Sequence, residues 1–359
     1  MIGKKIGGIV MRKKRVAVMF GGNSTEYEVS LESAYAVLTH MNREKYDIFP
    51  VGITRKGKWY HYSGDFENIR QDTWWKDEKH LALAIVSQDP SFGGFLVFYG
   101  EGWKKEPVDL AFPVLHGKNG EDGTVQGLFT LADIPVVGCD TLASALCMDK
   151  DRAHILAHAA GVSVPKSVSF GRADREAGKG EIAAKLRCPI FVKPLRAGSS
   201  FGITKISSME ELENALDLAF ANDDWVIAEE AVDGFEVGCA ILGKEELTIG
   251  RVDEIELSTG FFDYDEKYTL KTSKIHMPAR ISPETEQRIQ KTAALIYRAL
   301  GCSGFARVDM FLTPSGEIVF NEVNTIPGFT SHSRYPNMMK GIGLSFEELL
   351  ERLLRLYEE

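Results

Sequence analysis

Four side chains towards the C-terminal end have the types and spacing for phosphate and metal chemistry: Arg307, Asp309, Glu322 and Asn324. They lie on two β-rich runs, 307–312 and 318–323, around Thr-Pro-Ser-Gly, which has turn chemistry. A β-hairpin is expected there. Side chains two apart in a strand share a face, so Arg307 and Asp309 point the same way. Glu322 lies near the end of the second strand, and Asn324 shares its face if the strand extends that far. Val308, Met310, Ile318 and Phe320 supply the apolar content. A cation, two carboxylates and an amide then stand together. Carboxylate and amide oxygens are hard ligands suited to Mg²⁺, which keeps several waters and bridges to substrate phosphates. For one hairpin alone, a charged and solvated face is the simpler reading.

Other stretches tip the balance. Residues 15–20 form a buried-strand run, Gly21-Gly22-Asn23-Ser24 a turn, and a helical pattern runs from about Thr25 to Met41. This is the opening of an α/β unit, with backbone able to approach a ligand and a helix N-terminus that attracts anions. It is not Gly-x-Gly-x-x-Gly, so a dinucleotide fingerprint is unsupported. Glu26 sits in the first helical turn, where it complements the dipole unless a ligand ammonium lies nearby. Strands follow at 46–53 and 109–115, separated by an aromatic, hairpin-rich excursion over 55–106. His116-Gly-Lys-Asn-Gly-Glu-Asp-Gly123 is a loop after a strand, where α/β folds keep their chemistry.

A helix is expected over 141–161, carrying Met148-Asp149-Lys150 and placing His154 and His158 on one face. These histidines lack the Glu of His-Glu-x-x-His and read as a surface face rather than a zinc pair. Lys193 ends one strand of a second hairpin whose loop, 195–201, is rich in Gly and Ser. Amides and hydroxyls of such a loop suit phosphate oxygens, with Lys193 as a point charge, although for this loop alone a flexible hairpin tip is the simpler reading. Glu229, Glu230 and Glu236 mark strand ends and could meet an adenine amino group or ribose hydroxyls, or be solvated. Residues 258–278 form an aromatic, charged loop of the kind that serves as a lid. Ser208 with Glu211 makes a capping box, and Ser282-Pro283 opens a helix that Gly301 stops. From Ser345 a closing helix carries Phe346, Leu349, Leu350, Leu353, Leu354 and Tyr357 on one core-facing stripe.

At 359 residues the chain is long enough for two or three domains. Its net charge of −9 argues against a nucleic-acid binder. Five scattered cysteines give neither a disulfide framework nor a zinc site, and a reducing cytoplasm fits best. No apolar run approaches the roughly 18 residues of a spanning helix. The basic N-terminus has too short an apolar part for a secretory signal core, and Met11 is an alternative start.

The ordered set Gly-Gly-Asn-Ser-Thr-Glu, His-Gly-Lys-Asn-Gly-Glu-Asp-Gly, Met-Asp-Lys, Val-Lys-Pro…Gly-Ser-Ser-x-Gly, Arg-Val-Asp, Asn-Glu-Val-Asn and Pro-Gly-Phe-Thr resembles the ATP-grasp D-alanine–D-alanine ligase family. The likeness runs from about Lys13 to the C-terminus. Within the family it is similar to the D-alanine–D-serine ligases of the VanG vancomycin-resistance type. The resemblance implies an α/β (α+β ATP-grasp) chain: a Rossmann-like pre-ATP-grasp domain over 1–138, a central ATP-grasp subdomain over 139–232 and a C-terminal one over 233–359 with lid and metal site.

It also implies roles. Lys150, Lys193 and Ser200 would contact ATP phosphates. Glu229, Glu230 and Glu236 would line the adenine and ribose side. Asp309, Glu322 and Asn324 would hold two Mg²⁺, with Mn²⁺ a possible substitute. Glu26 would bind the first D-alanine's ammonium, with Ser199 and Tyr268 linked to it, and His116 would lie beside that substrate. Arg307 and the Gly328 amide would stabilise the oxyanion. Lys267, also counted on the nucleotide side, and Ser333 would bind the second substrate's carboxylate. A cytoplasmic homodimer acting on D-alanine, D-serine and ATP, with no nucleic acid and no membrane, completes the expectation.

One departure concerns specificity. Many D-alanine–D-alanine ligases place Leu or Met where Arg334 stands. Arg334 makes that pocket polar, suited to D-serine; turned to solvent, it would leave a D-alanine–D-alanine ligase of normal wall synthesis. A nicotinamide oxidoreductase lacks its fingerprint here and leaves the carboxylate hairpin unexplained. A non-enzymatic nucleotide-binding module should have lost Arg307 or a metal ligand, and all are present.

Overall fold

The computed structural model describes residues 12–198, 202–257 and 273–358. The expected positions Ser199, Ser200, Lys267 and Tyr268, and most of the 258–278 loop, lie outside them. Three sheets organise the rest.

The first sheet has seven strands in the order β6-β5-β4-β3-β2-β1-β7. Its centre is β1 (Lys14–Gly21), parallel to β2 (Tyr46–Ile53) and to β7 (Leu110–Pro113). β1 reads Arg-Val-Ala-Val-Met-Phe because both its faces are covered, as parallel strands require. The helix Tyr27–His40 packs one face through Leu31, Ala34 and Val37. The aromatic excursion extends this sheet as an antiparallel meander: β3 (Trp59–Tyr62), β4 (Leu81–Val86), β5 (Gly94–Tyr99) and β6 (Gly102–Pro107). Trp74 is its anchor, fully buried edge-on to Phe20 and donating its indole N–H to the Tyr27 hydroxyl.

A four-stranded antiparallel sheet, order β10-β9-β11-β8, comprises β8 (Ser167–Gly171), β9 (Ile190–Pro194), β10 (Thr204–Ile206) and β11 (Trp225–Glu230). The helix Leu212–Phe220 covers it, after the expected Ser208–Glu211 capping box. A five-stranded antiparallel sheet, order β14-β13-β12-β15-β16, follows: β12 (Phe235–Gly243), β13 (Leu247–Leu257), β14 (Ser273–His276), β15 (Gly304–Leu312) and β16 (Ile318–Asn324). The helix Pro283–Ala299, capped by Ser282 onto Thr285 N–H, packs against it through Ile289, Ala293 and Ile296. The closing helix Phe346–Arg355 buries Leu349, Leu350, Leu353 and Leu354 in the core shared with the first sheet.

Two expectations need correction. The single helix over 141–161 is two, Thr141–Met148 and Lys150–Ala159. Asp149 is extended and its carboxylate accepts the Arg152 N–H, so it caps a new helix instead of continuing the old one. Lys150 thereby opens a helix. His154 is not on a surface face. It is buried, its Nε2 bonded to the Asn321 carbonyl at 2.9 Å and its ring edge-on to Phe320.

Candidate functional site

The hairpin is β15–β16, and its register pairs Arg307 with Asn324 and Asp309 with Glu322. A bulge follows Asp309, so the ribbon bends beside the polar set. On the other side Val308, Met310, Ile318 and Phe320 are buried. Arg307 Nε and Nη2 reach the two oxygens of Asp309 at 2.8 and 2.7 Å, and Asn324 Nδ2 donates to Oδ2 at 2.9 Å. Burial works against the Arg307 charge, but Asp309 keeps its pKa above the ordinary value.

Lys150 links this ribbon to the neighbouring loops. Its Nζ donates to the Ala197 carbonyl at 2.8 Å and stands 3.9 Å from Glu322 Oε2. Lys193 on β9 donates to Glu229 Oε2 on the adjacent β11 at 2.6 Å. Burial would raise the Glu229 carboxyl, yet Lys193, His154 and Lys150 hold it below the usual range. Glu230 turns the other way and accepts the Arg187 N–H.

Glu26 is buried where three loops converge. A Cβ on Gly117 would come within 2.6 Å of its Oε2, and one on Gly198 within 2.5 Å. Gly117 also has φ +70°, the left-handed region that favours glycine. A cleft of about 850 Å³ opens at this junction, lined by Ser24, Glu26, Gly117, Asp149, Arg196 and Gly198 among others. His116 beside it donates Nδ1–H to the Ile326 carbonyl at 2.8 Å, with Nε2 3.2 Å from Ser33 Oγ. Burial lowers the His116 pKa more than Glu26 raises it, so the ring is neutral.

Arg334 faces inward rather than to solvent. Nε and Nη2 hold Asp253 at 2.7 and 2.8 Å, and Nη1 holds Glu236 Oε1 at 2.8 Å. Asp309 Oδ1 lies 3.5 Å from Nη2. Gly238 makes the room, since a Cβ there would meet Nη2 at 2.4 Å. Glu236, expected on the ribose side, is thus also a partner of Arg334. Ser333 Oγ accepts the Thr330 N–H at 3.0 Å, and a Cβ on Gly328 would meet that oxygen at 3.1 Å.

Asp253, Glu121 and Ser33 belong to this region and escaped the sequence reading. Glu121 lies inside the loop 116–123, and its bond to the Ile326 N–H comes from chain 205 residues away. Asp253 sits beside Glu254 on β13, and two adjacent acids between Val252 and Ile255 in a strand were the available hint.

The residues fit a magnesium–nucleotide site by their donor chemistry. Among the described residues no group of three or more His, Cys, Asp or Glu could hold a metal. Mg²⁺ asks for less: one or two carboxylates, with phosphate oxygens and water completing the shell. Asp309 and Glu322, opposite each other with Asn324 beside them, supply that.

Three sheets in this arrangement, with paired lysines and a carboxylate ribbon, make the chain an ATP-grasp ligase by fold. Family models for the D-ala D-ala ligase N-terminus and C-terminus match residues 15–139 and 156–355, and the chain belongs to that family. Its members are ATP-dependent, magnesium-using ligases that form a peptide bond. The crystal structure of the VanG D-Ala:D-Ser ligase from Enterococcus faecalis is 66% identical, covers 96% of this chain and 100% of its own, and superposes with a TM-score of 0.91. The vancomycin C-type resistance protein VanC1 of Enterococcus gallinarum is 45% identical, over 96% of this chain and 99% of its own. D-alanine–D-alanine ligase A of Escherichia coli is 39% identical, over 96% of each. Among the described residues no helix is long and apolar enough to cross a membrane.

The Lys193–Glu229 pair yields a first prediction. Both side chains are buried, and removing one partner of such a pair costs about 3–5 kcal/mol. Lys193→Ala is expected to show that loss in denaturant unfolding, together with a KM for ATP raised at least about tenfold. An unchanged unfolding midpoint would show the pair to be dispensable.

Proposed function

We propose that this chain joins D-alanine to D-serine at the expense of ATP, through D-alanyl phosphate, giving a dipeptide precursor for the cell wall of the vancomycin-resistant kind. The observation that carries the choice of D-serine is the seating of Arg334 between Asp253, Glu236 and Asp309. A guanidinium has five N–H donors, and the bonds to Asp253 and Glu236 use three. A serine hydroxyl can accept from a remaining N–H and donate to one of the carboxylates. A methyl group can do neither and would leave polar groups unpaired, which is how such a site discriminates. The 66% identical VanG structure is of a D-Ala:D-Ser ligase, which agrees.

The charges follow the reaction. Glu26 receives the ammonium of D-alanine, with His116 near it. The D-alanine carboxylate attacks the γ-phosphate in line and ADP leaves. Lys150 and Lys193 position and neutralise the phosphates, and Glu229, Glu230 and Glu236 line the base and ribose side. Two Mg²⁺, replaceable by Mn²⁺, supply charge neutralisation of the phosphoryl group when held by Asp309, Glu322 and Asn324. The D-serine amine then attacks the acyl carbon, and Arg307 with the Gly328 N–H faces the oxyanion. Collapse of the tetrahedral intermediate expels phosphate as the new C–N bond remains. Ser333 and Lys267 take the second substrate's carboxylate. Ser199, Ser200 and Tyr268 complete the enclosure that keeps water from the acyl phosphate. Domain limits at 138 and 232 and a homodimeric assembly belong to the same reading.

The test is competition. Purified protein with ATP, Mg²⁺, D-alanine and D-serine is expected to release phosphate only with D-amino acids and to yield mainly the mixed dipeptide. Dialanine alone as product would end the serine assignment. Phosphate release indifferent to D-amino acids would end the ligase assignment.

A further inference from the structure

Resting on the ligase reading, we infer that Ser33, His116 and Glu121 are positioning residues that aim the Gly328 amide from the other side of the molecule. The segment 326–329 carries Gly328, and both its ends are held by groups next to the first sheet. At one end, Ile326 N–H donates to Glu121 Oε1 at 3.0 Å, and Ile326 carbonyl accepts from His116 Nδ1 at 2.8 Å. At the other, Phe329 N–H donates to Ser33 Oγ at 3.1 Å. Ser33 Oγ in turn lies 3.2 Å from His116 Nε2.

The donors and acceptors fix the direction of this ring of bonds. A carbonyl only accepts, so His116 carries its proton on Nδ1. The neutral ring then accepts at Nε2 from the Ser33 hydroxyl, and Ser33 oxygen remains to accept from Phe329. Glu121 is tied back to its own loop by the Gly117 N–H at 2.8 Å. Ser33 comes from the helix Tyr27–His40, and the other two from the loop after β7. All three side chains are buried, as are Ile326 and Phe329.

Pro327 and Gly328 are therefore suspended between two anchored residues. Phe329 is further wedged by ring contacts with Phe112, Phe305 and Tyr335. An oxyanion donor must be held in place before charge develops, and a misplacement of about 1 Å costs roughly 10²-fold. Here the holding groups come from a helix and a loop next to the first sheet, whereas Arg307 stands on a strand of the third. The two halves of the oxyanion site are thus assembled only when the first and third sheets are docked.

Two variants of the full chain test this. Ser33→Ala deletes one anchor. Glu121→Gln keeps the volume but sets an amide N–H against one of the two backbone donors. Two partial reactions are read. D-alanine-dependent positional isotope exchange in ATP reports acyl-phosphate formation, and dipeptide release reports the second step. Each variant is expected to lose about 10²-fold in dipeptide kcat, with isotope exchange reduced less than threefold and the KM for ATP unchanged. Equal loss in both reactions, unchanged kcat, or failure of both variants to fold would overturn the positioning role and make these contacts merely structural. Absence of D-alanine-dependent exchange in the native protein would instead overturn the ligase reading.

Discussion

Glu322→Ala is expected to lose turnover by on the order of 10³-fold or more while keeping its fold. The loss follows from its place on β16, directly opposite Asp309 and 3.9 Å from Lys150 Nζ. Asp309 is already shared by Arg307, Asn324 and, at 3.5 Å, Arg334. Glu322 supplies the second carboxylate of this pair, on the strand opposite Asp309. Removing a ligand that neutralises the transferring phosphoryl group takes away several kcal/mol of transition-state stabilisation, which is the stated rate loss.

The retained fold has its own reason. Like charges directly opposite each other in an antiparallel pair are destabilising. Asp309 and Glu322 form such a pair, and packing alone offers no cause for it. Glu322 is also only partly buried, its side chain 23% exposed, while Val323 and Phe320 beside it carry the core contacts. The melting temperature of the variant should stay within a few degrees of native or rise slightly. Thermal melts, initial rates and a Mg²⁺ titration read the three quantities. Near-native activity would refute the metal assignment.

The hairpin was legible because the pairing that forms it is local. Alternation, turn residues and two strands fix the neighbours of Arg307 without reference to the rest of the chain. The capping box at Ser208 and the start of the closing helix at Ser345 were legible for the same reason. The helix break at Asp149 was also written locally, in an Asp followed by Arg three residues on, but helical periodicity on both sides masked it. What stayed hidden depends on distant chain. His154 is buried because β16 brings the Asn321 carbonyl to it from 167 residues away. Glu121 and Ser33 have meaning only once the 326–329 segment lies against them. Arg334 was readable as a polar residue in an apolar place, but not as the centre of an acid cluster. Asp253 is 81 residues distant from it, and Gly238 makes space on the adjacent strand.

That cluster sets the second large effect, expected for Arg334→Met. Asp253 is fully buried, and it loses two bonds when the guanidinium goes. Glu236 loses one. An uncompensated buried carboxylate costs about 3–5 kcal/mol, so unfolding should shift by that much. Preference for D-serine over D-alanine should fall at least about 10²-fold, since a site that no longer pairs the hydroxyl cannot favour it. The two losses are separable. Adding Asp253→Asn to Arg334→Met removes the stranded charge, and the amide oxygen can still accept the Gly238 N–H that Asp253 now takes at 3.0 Å. The double variant should regain most of the stability and none of the preference. Stability is read by denaturant unfolding and preference by the dipeptide ratio at equal D-serine and D-alanine. A double variant that recovers both would mean that Arg334 supports the fold and that selection of the second amino acid lies elsewhere.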